Sequence, residues 1–126
     1  MATGKVKKQR KTVNELRWDH FNWIIDTAFR HLSHQERSLL LVYYRFATPS
    51  LDGTTHRDFF RVTDAEVGEI INRSALTVRD IRKNLERRGL IRKSRNPGYG
   101  YAPKYELANP GTWSEMKAQN KESAVD

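Results

Sequence analysis

The chain is expected to fold as one mainly α domain of the α+β class, with a small β-hairpin, and three observations lead there. Capping patterns of the form Thr/Ser-x-x-Glu recur at Thr12, Ser33 and Thr63, each ahead of an apolar run with helical spacing. Two short segments, Leu90–Lys93 and Tyr101–Leu107, flank a turn-forming run, Asn96-Pro97-Gly98-Tyr99-Gly100. A length of 126 residues, 37% of them hydrophobic, supports one core with terminal extensions rather than two domains. The expected layout is a disordered basic arm over 1–12, a folded domain over 13–107, and a mostly disordered tail over 108–126 carrying one short helix.

The elements follow in order. Thr12 with Glu15 opens a helix running to Leu32, with Trp18, Phe21, Ile25, Ala28 and Leu32 as its buried stripe, widened by Ile24 and Phe29. Ser33 with Glu36 opens a second helix through Ala47. Its run Leu39–Tyr44 is apolar on every side, which predicts a central helix buried from several directions. Thr48-Pro49-Ser50 and Asp52-Gly53 read as a loop, and Phe59–Val62 as a short strand. Thr63 with Glu66 opens a short helix with Val67, Ile70 and Ile71 inward. Ser74 caps the next helix, 75–88, whose inward positions are Val78, Ile81 and Leu85, and Gly89 ends it. In the last strand Tyr101, Tyr105 and Leu107 share a face, with both tyrosines read as core. Thr112 with Glu115 opens a short helix to Asn120.

The formal charge of +8 is unevenly placed. Lys5, Lys7, Lys8, Arg10 and Lys11 give residues 1–12 a net +5 with no acid. Residues 13–72 hold six Arg against nine acids, net −3, and residues 73–95 hold seven Arg and two Lys against Asp80 and Glu86, net +7. A basic arm and a basic face point to a polyanionic partner.

Other classes find little support. The absence of cysteine removes disulfide scaffolds, thiolate zinc sites and a cysteine nucleophile, with a reducing compartment as the default. The longest apolar run, Leu39–Tyr44, is too short to span a bilayer, and the basic N-terminus lacks the apolar segment of a secretory signal. His31 and His34 straddle a helix boundary without further ligands nearby, so no metal is expected. No phosphate loop, paired-carboxylate motif or nucleophile elbow is present, so neither an enzyme nor a cofactor is expected.

The run Val62-Thr63-Asp64-Ala65-Glu66-Val67-Gly68-Glu69-Ile70, then Ser74, then Thr77-Val78-Arg79, carries a resemblance. With the ending Leu85-Glu86-Arg87-Arg88-Gly89-Leu90-Ile91, it resembles the winged helix-turn-helix DNA-binding proteins of bacteria and phages. The likeness spans 63–107 closely, and 13–107 if the preceding helices count as an additional N-terminal part. Gly68 stands where a small Ala is usual, a change expected to be harmless, and Asn72 stands where the turn Gly is usual. Asn tolerates left-handed backbone, so the turn is expected to survive. The aromatic first helix, Leu39-Leu40-Leu41-Val42-Tyr43-Tyr44-Arg45, and then Arg61-Val62-Thr63-Asp64 are similar to the N-terminal origin-binding domain of lambdoid phage replication-initiator proteins.

The resemblance implies a recognition helix at 75–88 in the major groove of double-stranded DNA, with a wing at 90–107. Arg79, Lys83 and Arg87 lie four apart on the face opposite the core stripe, a like-charge stripe that a merely solvated surface avoids. Arg79 is expected to bond guanine O6/N7, and Asp80 to accept from cytosine or orient Arg79. Leu76 either meets a thymine methyl or packs on the neighbouring helix. Lys83, Arg87 and Arg73 are expected on phosphates, with Ser74 and Thr77 serving first as caps. Arg92, Lys93, Arg95 and Tyr99 are the wing contacts, and the Lys5–Lys11 arm enters a minor groove or serves only solubility.

Leu16 and Trp23 sit seven apart, opposite the expected core stripe, and either form a homodimer interface or pack on Trp113 and Met116 of the tail. The implied role is transcriptional regulation, with replication-origin binding as the alternative and a winged-helix protein-interaction module as a second. Partners in the replication or transcription machinery are implied accordingly. The implied setting is the nucleoid of a bacterial or phage-infected cell.

Overall fold

The structure is a computed structural model that describes residues 12–52, 55–94 and 103–125. It is α+β: α1 (Val13–Asp26), a 3-10 turn (Ala28–His31), α2 (His34–Phe46), β1 (Thr48–Asp52), β2 (Thr55–Arg61), α3 (Asp64–Ile71), α4 (Ala75–Arg87), β3 (Ile91–Lys93), β4 (Lys104–Leu107) and α5 (Trp113–Val125). The strands form one antiparallel sheet in the order β1-β2-β4-β3. The residues that make up the basic arm, 1–11, the expected wing contacts Arg95 and Tyr99, and the expected core residue Tyr101 lie outside the described residues.

Capping boxes form at Thr12, Ser33 and Thr63, each hydroxyl accepting the N–H three residues on while the Glu carboxylate accepts the cap N–H. At Glu66 these bonds, first that from the Thr63 N–H, hold the carboxyl below its usual pKa. Leu39, Leu40 and Tyr43 of α2 meet Val67, Val78, Ile81 and Leu85 from α3 and α4, and Phe60, Ile91, Tyr105 and Leu107 from the sheet. Phe60 stacks between Tyr43 and Tyr105, with ring centroids 4.4 and 5.6 Å away. Leu41 and Val42 are only half-buried, so α2 is central on one side alone.

Several expectations fail for definable reasons. The first helix stops at Asp26, and a separate 3-10 turn follows, with no Gly or Pro to announce the break. Its inward side is rotated from the apolar stripe: Trp18 is 64% and Ile25 39% exposed, whereas His20 and Ile24 are buried. Polar satisfaction drives the rotation. Arg17 donates to the carbonyls of Ala47 and Tyr44, the Tyr44 hydroxyl donates back to the Arg17 carbonyl, and His20 Nε2 lies 2.8 Å from the Ala108 carbonyl. Leu16 and Trp23 are therefore no exposed pair. Both are half-buried, and Trp23 meets Trp113 edge-on at 5.2 Å.

The expected loop at 48–53 contains β1, paired along its length with β2 from Thr48↔Phe59 to Asp52↔Thr55. Pro49 is tolerated because β1 is an edge strand. The short strand read at Phe59–Val62 is β2, which begins four residues earlier and lies between β1 and β4. Ile70 is 55% exposed, lining a shallow apolar groove with Leu41, Val42, Arg45 and Phe46.

The tail is not mostly disordered. The buried Asn109 side chain accepts the N–H groups of Gly111 and Thr112 and donates to the His56 carbonyl and Asp58, which starts α5. Met116 then enters the core at 1% exposure. Where α5 crosses the end of α4, a Cβ on Gly89 would lie 2.8 Å from the Lys117 Cα, and Gly89 itself has φ of +74°. Only glycine meets both conditions.

Asn72 adopts the left-handed region (φ 59°), and Arg73 N–H donates to the Gly68 carbonyl. Gly68 is not interchangeable with Ala: a Cβ there would stand 2.4 Å from the Arg73 carbonyl oxygen. Gly68→Ala is expected to cost about 1–3 kcal/mol through overpacking against backbone. Asn72→Gly should stay within about 1 kcal/mol of wild type. Urea unfolding distinguishes them, and an unchanged midpoint for Gly68→Ala would refute the steric account.

Burial holds the His20 imidazole below its usual pKa, against the opposing pull of Asp58. Between the lowered folded value and the unfolded value near 6.5, the unfolded chain binds the extra proton. Stability from this site is then complete above about pH 6.5 and declines as pH falls below it. Urea midpoints measured from pH 8 to pH 5 should fall less in His20→Gln than in the wild type.

Candidate nucleic-acid interface

Helix α4 is the centre of the site. Its N-terminus is set by Ser74, whose Oγ accepts the Thr77 N–H at 3.2 Å and donates to the Thr77 hydroxyl at 3.0 Å. Both hydroxyls are thus engaged in the cap. Val78, Ile81 and Leu85 face the core, as their spacing predicts, and this turns Leu76, Arg79, Asp80, Lys83 and Arg87 to solvent. Leu76 is 59% exposed, so the alternative of packing against the neighbouring helix does not hold.

Arg79 Nε lies 3.8 Å from Asp80, a loose contact that leaves the guanidinium fork presented outward. Arg87 donates to Asn84 on its own helix. Arg73 is exposed in the turn before α4 and donates to the Asn72 carbonyl. This face offers spaced cations, one bidentate donor, one carboxylate and one aliphatic side chain, a set suited to phosphates and base edges.

A residue not singled out from the sequence fixes the helix that carries them. Arg82 donates to both carboxylate oxygens of Asp64 at 3.0 Å, to Glu86 at 2.7 Å and to the Tyr105 hydroxyl at 3.0 Å. It joins α4 to the start of α3 and to β4, and the bonds to Asp64 raise its pKa above the ordinary arginine value. Its place beside the inward position Ile81, four before Glu86, was the available sign.

The hairpin differs from expectation. β3 and β4 pair from Ile91↔Leu107 to Lys93↔Tyr105, and Lys93 is exposed. Arg92 is not a free wing contact. It donates to Glu106 at 2.9 Å, to Glu115 at 3.2 Å and to Gln119, tying β4 to α5. Arg57 reaches Glu106 at 2.8 Å and Glu115 at 3.5 Å, and Glu106 with Glu115 raises its pKa. Burying Glu106 between two strands requires such partners, and neither arginine was flagged for this in the sequence because their acids lie far along the chain. Among the described residues no helix is long and apolar enough to cross a membrane.

No protein family, curated protein or solved structure matches this chain.

The arginines of α4 and the hairpin thus divide into internal and outward groups. Arg82→Met is expected to lower stability by about 2–4 kcal/mol, because it strands Asp64 and Glu86. Arg79→Ala and Lys83→Ala are each expected to stay within about 0.5 kcal/mol of wild type. Thermal unfolding of the three variants checks this, and equal losses would refute the division.

Proposed function

We propose that this chain is a sequence-specific double-stranded-DNA-binding protein of the winged helix-turn-helix type, acting as a transcriptional regulator. In this reading α4 enters the major groove, the β3–β4 hairpin and its tip serve as the wing, and the basic arm lies on backbone or in a minor groove. It is a binding protein without a reaction of its own, working on DNA in a bacterial or phage-infected cell. The observation that carries the reading is the exposed Arg79-Lys83-Arg87 stripe beside Leu76. Arg82, between them in sequence, turns inward to Asp64 and Glu86, while Arg79, Lys83 and Arg87 are exposed on the surface of α4. Like charges at four-residue spacing carry a cost in the free protein that phosphates would reverse.

Binding to a random duplex library is expected to select a defined site, with log K falling against log salt by about 0.9 per phosphate contacted. Arg79→Ala should flatten sequence preference, and Lys83→Ala should weaken all sequences about equally. A salt-independent complex, or no binding to any duplex at low ionic strength, would overturn the reading. Tandem repeats among the selected sites would move the role from transcription to replication-origin binding.

A further inference from the structure

Two apolar surfaces of this chain are left open, and they differ in shape. On α1 the side chains of Trp18 and Ile25, about two helical turns apart, form a convex ridge, 64% and 39% exposed. Trp18 stacks on the half-buried Phe21, with ring centroids 6.1 Å apart. Between α2 and α3 lies a concave groove of about 410 Å³, lined by Leu41, Val42, Arg45, Phe46 and Ile70, with Phe46 40% and Ile70 55% exposed. Each surface carries one open charge, and the two are of opposite sign. The Asp26 carboxylate stands at the end of the ridge, in the i+4 row of Trp18 and Asn22, and makes no hydrogen bond or ion pair among the described residues. Arg30 takes its backbone carbonyl alone. Arg45 is the one charged residue lining the groove, and its guanidinium likewise has no hydrogen bond, ion pair or ring contact among the described residues. Apolar side chains left this open on two separate patches are costly to solvate.

We propose that these surfaces are the two halves of one contact between copies of this chain. The α1 ridge of one copy seats in the α2–α3 groove of another, with Asp26 of the first meeting Arg45 of the second. Shape and charge together select this pairing. Groove against groove sets concavity against concavity and leaves a void. Ridge against ridge leaves the groove and Arg45 open, and it supplies no cation for Asp26, since Arg17 is turned inward onto the α2 carbonyls. Duplex DNA offers Arg45 a phosphate but leaves Phe46 and Ile70 uncovered. Ridge in groove covers both apolar patches and pairs both charges at once. Each copy brings one ridge and one groove, so the contact recurs from copy to copy unless the rotation closes it. Two patches of this size make a weak contact, with a dissociation constant on the order of 10–100 µM. The proposal does not depend on whether α4 reads DNA.

Sedimentation velocity without DNA is expected to show species above monomer mass as the concentration rises to about 200 µM. Trp18→Ala removes the ridge and Ile70→Glu spoils the groove, and each variant alone should associate at least about tenfold more weakly. An equimolar mixture of the two should regain a one-to-one complex, since the intact ridge of Ile70→Glu fits the intact groove of Trp18→Ala. Arg45→Glu and Asp26→Arg should each weaken association about three- to tenfold, and both reversals in one chain should restore it. All four positions are exposed, so the variants should keep the wild-type unfolding temperature. A wild type that stays monomeric throughout would overturn the proposal, as would association that persists in both Trp18→Ala and Ile70→Glu. So would a mixture no more associated than its components, or a double reversal no better than the single ones, since ridge and groove would then not be partners.

Discussion

The arrangement of this molecule turns on one buried carboxylate. Asp58, at the centre of β2, is 1% exposed and accepts from Asn109 at 2.9 Å, with His56 at 3.2 Å and His20 at 3.4 Å. A buried carboxyl is tolerated only where polar neighbours stand in for the water it has lost. Those neighbours come from α1, from β2 itself and from the segment leading into α5. Asp58 is therefore where three separate parts of the chain meet, Asn109 by a hydrogen bond and the two imidazoles by close contact. With His20 inward, the helical repeat leaves Trp18 and Ile25 outward, so the unusual surface of α1 follows from a polar requirement in the interior.

A second division concerns the arginines. Sequence-local charge counting treats each as equivalent, yet the fold spends them in two ways. Arg17, Arg57, Arg82 and Arg92 close off carbonyls and carboxylates between elements, and the side chains of Arg57, Arg82 and Arg92 are largely buried. Arg73, Arg79, Lys83 and Arg87 stay on the surface around α4. The planar fork suits the first task better than a lysine ammonium would, which fits the scarcity of lysine in 12–94, where Lys83 and Lys93 stand alone.

What was legible in the sequence was local. Capping boxes at Thr12, Ser33 and Thr63, the left-handed turn at Asn72 and the stop at Gly89 depend on residues within a few positions of one another. The inward face of α4 was also readable, since Val78, Ile81 and Leu85 are apolar and their neighbours are not. What escaped depended on contacts distant in the chain. The rotation of α1 required knowing that Arg17 and His20 would find acceptors near residues 44–47 and 108. The role of Arg92 required knowing that Glu115 would return over the sheet on α5. Gly68 looked replaceable because the obstacle, the Arg73 carbonyl, lies in the turn's conformation and not in its composition. In the candidate site, the outward stripe was legible and the Arg82 clamp beneath it was not.

Pro49 has a consequence beyond the strand it occupies. Among the described residues β1 is the last strand on its side of the sheet, and such an edge can recruit extended chain from another molecule. A residue that has no N–H interrupts the ladder such a strand would need, one position in from the end of β1. At the opposite margin, β3 is only three residues long. Neither margin offers a long regular template, so the sheet is guarded against polymerising edge to edge at high local concentration.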